Sequence, residues 1–167
     1  MIARLLIALS SLLAMSAWAL PPALADQYSN SAGLNEYSGQ PVLVIVAAGR
    51  KLRLIKNWEE GLRKDYPQLT SLRVADITDE PRPTYDQVAT KLRKRAPADV
   101  SIIIDLDNQW ATEYELDTSE PCLLLFDANG NVMAQFRGRA NTTRLAEVNA
   151  ALARVVPDTV ASTESTQ

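Results

Sequence analysis

Four short apolar runs alternate with helix-period segments along this chain, and that alternation restricts the fold more than any other feature of the sequence. Val42 to Ala47 is continuous, apolar and rich in β-branched residues, as expected of a strand buried on both faces. Leu72 to Ile77, Val100 to Leu106 and Cys122 to Phe126 repeat the pattern. Between the first two runs, Leu52, Ile55, Trp58 and Leu62 recur at helical spacing. This predicts an amphipathic helix over residues 50–66, stopped by Pro67. Tyr85, Val88, Ala89 and Leu92 form the stripe of a second helix that Thr84 can cap. A short helical turn is expected within Asn108 to Leu116. Asp127-Ala128-Asn129-Gly130 is turn chemistry joining the fourth run to a hairpin partner, Val132 to Phe136. Leu145, Val148, Leu152 and Val155 mark a last helix capped by Asn141 or Thr142. Strand and helix in alternation, closed by a hairpin, predict an α/β fold. Its sheet should be mixed, of about five strands, with helices on both faces.

The N-terminus has the features of an export signal. Arg4 precedes an apolar stretch through residue 20, and two small-x-small sites follow, Ala17-Trp18-Ala19 and Ala23-Leu24-Ala25. Cleavage is expected after Ala19 or Ala25, with Ala25 favoured because polar residues begin at Asp26. The apolar run is short for a membrane span and Pro21 and Pro22 end it, so no stable span is expected after cleavage. The expected organisation is a signal segment 1–25, a flexible lead 26–33, one domain 34–157 and a disordered tail 158–167, in a periplasmic or secreted protein. Removal of 1–25 leaves 142 residues, a size that buries about 68% of its unfolded surface without covalent staples. Arg4 is the only charge removed, so the net charge goes from −3 to −4. That balance argues against nucleic acid or anionic membrane as a general partner.

The chain has one cysteine, Cys122, and no histidine. An intramolecular disulfide is impossible, and Ser-His-Asp catalysis, Cys-His catalysis and His-ligated metal sites are excluded. The aspartate-rich runs at Asp105-Leu106-Asp107-Asn108 and Asp127 to Asn131 complete no twelve-residue calcium loop. No metal and no cofactor is expected.

Three segments resemble the thioredoxin-like superfamily, in its redoxin and TlpA-type branch. Leu34-Asn35-Glu36-Tyr37-Ser38-Gly39-Gln40-Pro41-Val42-Leu43-Val44 is similar to the approach to that family's central strand. Ile104-Asp105-Leu106-Asp107-Asn108 is similar to its inserted strand and turn. Glu120-Pro121-Cys122-Leu123-Leu124-Leu125-Phe126-Asp127-Ala128-Asn129-Gly130-Asn131-Val132 is similar to its cis-proline strand and hairpin. The resemblance spans residues 34 to 155. It implies a three-layer thioredoxin-like domain ending in a β-hairpin and helix, with Pro121 as the cis-proline. Ala47-Ala48-Gly49-Arg50 with a Cys-free helix start also resembles periplasmic YtfJ-like proteins, a group of this fold without established activity. The family's redox motif is Cys-x-x-Cys at the helix after the central strand, where the helix start stabilises a thiolate. Here that position holds Lys51, Leu52, Arg53 and Leu54. A peroxidase-type Thr-x-x-Cys is missing too. Dithiol and peroxidase roles therefore do not carry over, and the scaffold does.

Two readings remain for function. In the first, the protein is a binding module without dithiol chemistry. Arg50, Lys51 and Arg53 supply charge to an anionic group or acidic partner loop, and Glu120 and Pro121 present backbone to an extended protein or peptide. The competing explanation of the three cations is a solvated helix face, although cations at a helix start oppose the dipole. In the second reading Cys122 works alone, as a redoxin-like oxidoreductase forming a mixed disulfide. Against this, a cysteine leading into Leu123-Leu124-Leu125 is expected to be a buried core residue. A purely structural role in the cell envelope is not separable from the first reading by sequence. Lys91, Arg93, Lys94 and Arg95 read as a solvated, dipole-compensating helix end, and Trp110 and Tyr114 as packing residues.

Overall fold

The computed structural model describes residues 23–78 and 81–156. Most of the expected signal segment and the expected C-terminal tail lie outside the described residues. Five strands form one sheet: β3 (Val42–Ala48), β4 (Thr70–Asp76), β5 (Ile103–Asp105), β6 (Cys122–Phe126) and β7 (Val132–Arg137), in the order β5-β4-β3-β6-β7. β3, β4 and β5 are parallel, while β6 runs antiparallel to β3 and β7 antiparallel to β6. The α/β class, the mixed five-stranded sheet and the terminal hairpin follow the expectation.

Every residue of β3 and β6 is buried, which explains why these central strands read as uninterrupted apolar runs. The edge strand β7 alternates partly buried and exposed positions. On one sheet face Leu43, Ile45, Ala47, Leu123 and Leu125 pack under α1 (Ile55–Leu62) and α4 (Thr142–Leu152), and Ala75 and Ile104 pack under α2 (Tyr85–Arg95). The opposite face, Val42, Val44, Val46, Val74, Leu124 and Phe126, is covered by Leu34 of a 3-10 turn, by Trp110 of α3 (Gln109–Glu113) and by Tyr114 just after it. The Trp110 and Tyr114 rings lie 5.7 Å apart and both meet Phe126 edge-on, so they are packing residues. α1 approaches α4 at Gly61, where an added Cβ would stand 2.6 Å from the Leu145 side chain.

The local chemistry at the element ends explains where they fall. Thr84 and Gln87 form a reciprocal capping box at the start of α2, and Asn141 caps α4 by accepting from the Arg144 amide at 2.9 Å. The Asp127 carboxylate accepts from the Asn129 and Asn131 amides, and Gly130 at φ +83° turns the chain into β7. The long helix expected over 50–66 is divided. Gly49–Leu54 is 3-10, and α-helix begins only at Ile55. Ala48 offers no side chain to the first amides, and no acid lies in the opening turn, so an α-helix begun at Arg50 would be uncapped.

Residues 26–33, expected to be a flexible lead, are instead tied to the body. β1 (Leu24–Ala25) pairs antiparallel with β2 (Ser31–Ala32), and Asp26 bridges to Ile103 at the sheet edge. The Asp26 carboxylate accepts from the amides of Tyr28 (2.8 Å) and Asn30 (2.9 Å), the Asn30 side chain and the Ser101 hydroxyl (2.9 Å). Gln27, fully buried, donates to the Val100 carbonyl and accepts from the Ile102 amide at 2.7 Å. The side-chain amide thus takes the place of a strand beside residues 100–102. β5 itself, Ile103–Asp105, is shorter than the apolar run Val100 to Leu106. The contacts that tie this turn to the body, to Val100, Ser101 and Ile102, are 73 to 75 residues away, so polar composition alone gave no sign of order.

Candidate functional site

The carboxyl ends of β3 and β4 bring Ala48 and Asp76 into register, and β5 sets Asp105 beside Asp76. The segment Asp117–Pro121 crosses this edge. Its Thr118 carbonyl accepts from the Ala48 amide at 3.2 Å, and the Thr118 hydroxyl donates to the Asp76 carboxylate. β6 then begins at Cys122, opposite Val46. This edge of a parallel sheet, where crossover turns leave a crevice, is where α/β folds commonly place their chemistry.

Lys51 stands in the 3-10 stretch after β3 and reaches across to Glu120, with Nζ 3.5 Å from Oε1. Arg139 approaches the same carboxylate from beyond β7 at 3.2 Å. The Arg139 hydrogen bond, with the charges of Arg139 and Lys51, holds the Glu120 carboxyl below its ordinary range. Arg137 braces the loop from below, donating to the Asp117 carbonyl at 3.1 Å and the Ser119 hydroxyl at 2.8 Å, and pairing with the Asp117 carboxylate. Asp117 is also held low, first by the Ser119 side chain and amide.

Pro121 is buried and has no N–H, and its carbonyl already accepts from the Gly138 amide at 2.8 Å. The Pro121 carbonyl is thus already engaged within the fold. The available main-chain donor is its neighbour, because the Glu120 amide makes no hydrogen bond among the described residues.

Cys122 is 1% exposed. Its thiol lies 3.2 Å from the Asp117 carbonyl and 3.6 Å from the Glu120 carbonyl, both acceptors of the S–H. Burial pushes the thiol up to about 11. The charge of Arg137 opposes this, and the negative charges of Asp117 and Asp76 add to it. At neutral pH the group is a protonated thiol and a poor nucleophile.

The structure separates the three expected cations. Lys51 joins Glu120, whereas Arg50 and Arg53 line a groove between α1 and α2 together with Arg63 and Arg95. Asp76, Asp117, Thr118, Arg137 and Arg139 were not anticipated as residues of the site. Asp76 is 1% exposed, and its Oδ1 has no hydrogen-bond partner. Burial raises this carboxyl, Thr118 opposes the rise, and the charge of Asp105 adds to it. The available signal was a lone acid between Ala75 and Ile77 at the end of an apolar run. Asp105, considered as a calcium ligand, caps α3 instead. It accepts from the amides of Asp107 (3.2 Å), Gln109 (3.0 Å) and Trp110 (2.9 Å). Among the described residues no group of three or more acidic, histidine or cysteine side chains is placed to hold a metal.

The sheet order, the crossovers and the placement of Pro121 beside the turn after β3 decide the architecture. This is a thioredoxin-like fold. The exposed lipoprotein thioredoxin Etrx1 of Streptococcus pneumoniae superposes with a TM-score of 0.61 at 12% identity, over 75% of this chain and 95% of its own. A protein described as the thiol:disulfide interchange protein DsbE of Chlorobium tepidum gives 0.59 at 20% identity, over 81% and 94%. Yeast Sco1 gives 0.60 at 16% identity, over 86% and 99%. At these identities the likeness concerns shape. No family profile and no curated protein sequence matches the chain.

Proposed function

We propose that this is an exported thioredoxin-fold protein without dithiol redox chemistry, which binds a protein or peptide partner at the Lys51–Glu120–Pro121 face. One observation carries the reading. Where solved proteins of this shape named for thiol:disulfide exchange act through sulfur, this chain sets a lysine-carboxylate pair, and its single thiol is buried under two carbonyls. The unpaired Glu120 amide and the flanking charges of Lys51, Glu120 and Arg139 suit an extended segment that adds main-chain hydrogen bonds. Copper, seen bound in one Sco1 structure, is not part of the proposal, because a chain with one buried cysteine and no histidine lacks the soft donors such a site uses. Net acidity argues against a nucleic-acid partner, and among the described residues no helix is long and apolar enough to cross a membrane.

The test is thiol reactivity. In the native protein Cys122 should react with a disulfide reagent at neutral pH about 100-fold more slowly than in the unfolded chain, following the loss of thiolate. The protein should also leave insulin disulfides intact. Fast native labelling would replace this reading with the single-cysteine oxidoreductase.

Export is part of the same proposal, and within it we favour cleavage after Ala19. A cut after Ala25 would remove both residues of β1 and make the buried Asp26 a charged terminus. A cut after Ala19 leaves that structure whole. N-terminal sequencing of protein recovered from the periplasm should begin at Leu20; a start at Asp26 would refute cleavage after Ala19.

A further inference from the structure

We propose that the groove between α1 and α2 is a binding site for an apolar monocarboxylate, a slender hydrocarbon body ending in a single anionic group. The site is distinct from the Lys51–Glu120 face and does not depend on it. The groove encloses about 560 Å³, within the range of small-molecule sites. Leu52, Ile55, Leu92, Val100 and Ile102 form its floor. Ile55, Leu92 and Ile102 are each less than a tenth exposed, so the apolar surface is recessed below a charged rim. A smaller cavity of about 210 Å³ shares Gly49, Arg50, Leu52, Leu92 and Arg95 and continues the apolar path towards Ile77 and Val88.

The rim identifies the sign of the ligand. Glu59 is bound by both arms of Arg73, at 2.5 and 2.6 Å, and Glu60 is paired with Lys56 at 3.4 Å. The two acids of the groove are thereby neutralised by partners within it. Arg50, Arg53, Arg63 and Arg95 have no ion-pair partner among the described residues. Four uncompensated guanidinium groups around one apolar groove stand out in a chain of net charge −3. Arg95 has an alternative use, compensating the negative end of α2. Arg50 and Arg53 have none of that kind, since they lie on the opening turns before α1, where acids would be favoured and none is present. An apolar tail meets the floor, and a carboxylate meets paired N–H donors. A neutral or cationic amphiphile would satisfy only half of the site.

The test is titration of the full folded protein with decanoate, read by amide chemical shifts. Decanoate should bind saturably and perturb Leu52, Ile55 and Ile102. Octanoate, two methylenes shorter, should bind roughly tenfold more weakly. Decanol and decyltrimethylammonium should fail to saturate at the same concentrations. The double variant Arg53→Gln/Arg95→Gln removes two exposed, unpaired side chains. It should keep its thermal stability and lose at least about fivefold in decanoate affinity. Decanoate binding no tighter than decanol, unchanged affinity in the double variant, or shifts confined to the Lys51–Glu120 face would each overturn the proposal. So would saturation by a poly-glutamate peptide with no response to decanoate.

Discussion

Asp26 and Asp76 are both almost fully buried, yet the protein treats the two carboxylates in opposite ways. Asp26 lies where the N-terminal segment meets the sheet and accepts from two amides, a hydroxyl and a side-chain amide. Burial alone would raise it, but these donors together hold it below its usual range. Asp76 lies at the carboxyl edge of the sheet, has Thr118 as its one donor and leaves an oxygen unpartnered, and its carboxyl is pushed up. A satisfied buried charge marks a structural joint. An unsatisfied one marks a place where the fold tolerates local disfavour, and here that place adjoins Cys122 and the loop that carries Glu120.

The largest effect should come from breaking the satisfied end. Asp26→Ala strands several donors and should cost about 2–3 kcal/mol at neutral pH, lowering Tm by roughly 6–10 °C. Because the folded carboxyl is depressed, its stabilising share is present above about pH 3.9 and declines as pH falls through the folded value. The Tm gap between variant and parent should therefore narrow in acid. Thermal scans from pH 7 down to pH 3 measure this directly.

A smaller change of opposite sign is expected at the other carboxylate. Asp76→Asn should stabilise the protein at neutral pH by about 1 kcal/mol. The folded Asp76 carboxyl titrates above its unfolded value, so parent stability falls as pH rises from about 3.9 through the folded value. Below that window the variant and the parent should melt together, because both then carry a neutral group. A stability loss on Asp76→Asn at pH 7 would show that its charge is compensated, and the contrast between the two ends would collapse.

The contrast also explains what could be read from the sequence. β3 and β6 were legible because burial on both faces demands continuous apolar runs, and the caps at Thr84 and Asn141 were legible because capping is local. The hairpin at Asp127 to Gly130 was legible for the same reason. The pairing of Lys51 with the Pro121 region followed from the resemblance, which placed both at one edge. What escaped was long-range and polar. Gln27 meets residues 73 and 75 positions away, and no periodicity announces such a contact. The groove draws Arg53, Arg63, Arg73 and Arg95 from four separate stretches, so only folding shows that some of these cations find acids and others do not. Asp76 was visible as a strand residue, but its missing partner is a property of space and not of spacing.

The Gln27 side chain has a further consequence for self-association. By occupying the hydrogen-bonding groups of Val100 and Ile102, it helps block one margin of the sheet, and β7 remains the open one. A sheet able to extend from a single side can recruit one further copy, edge to edge, and then has nowhere left to grow.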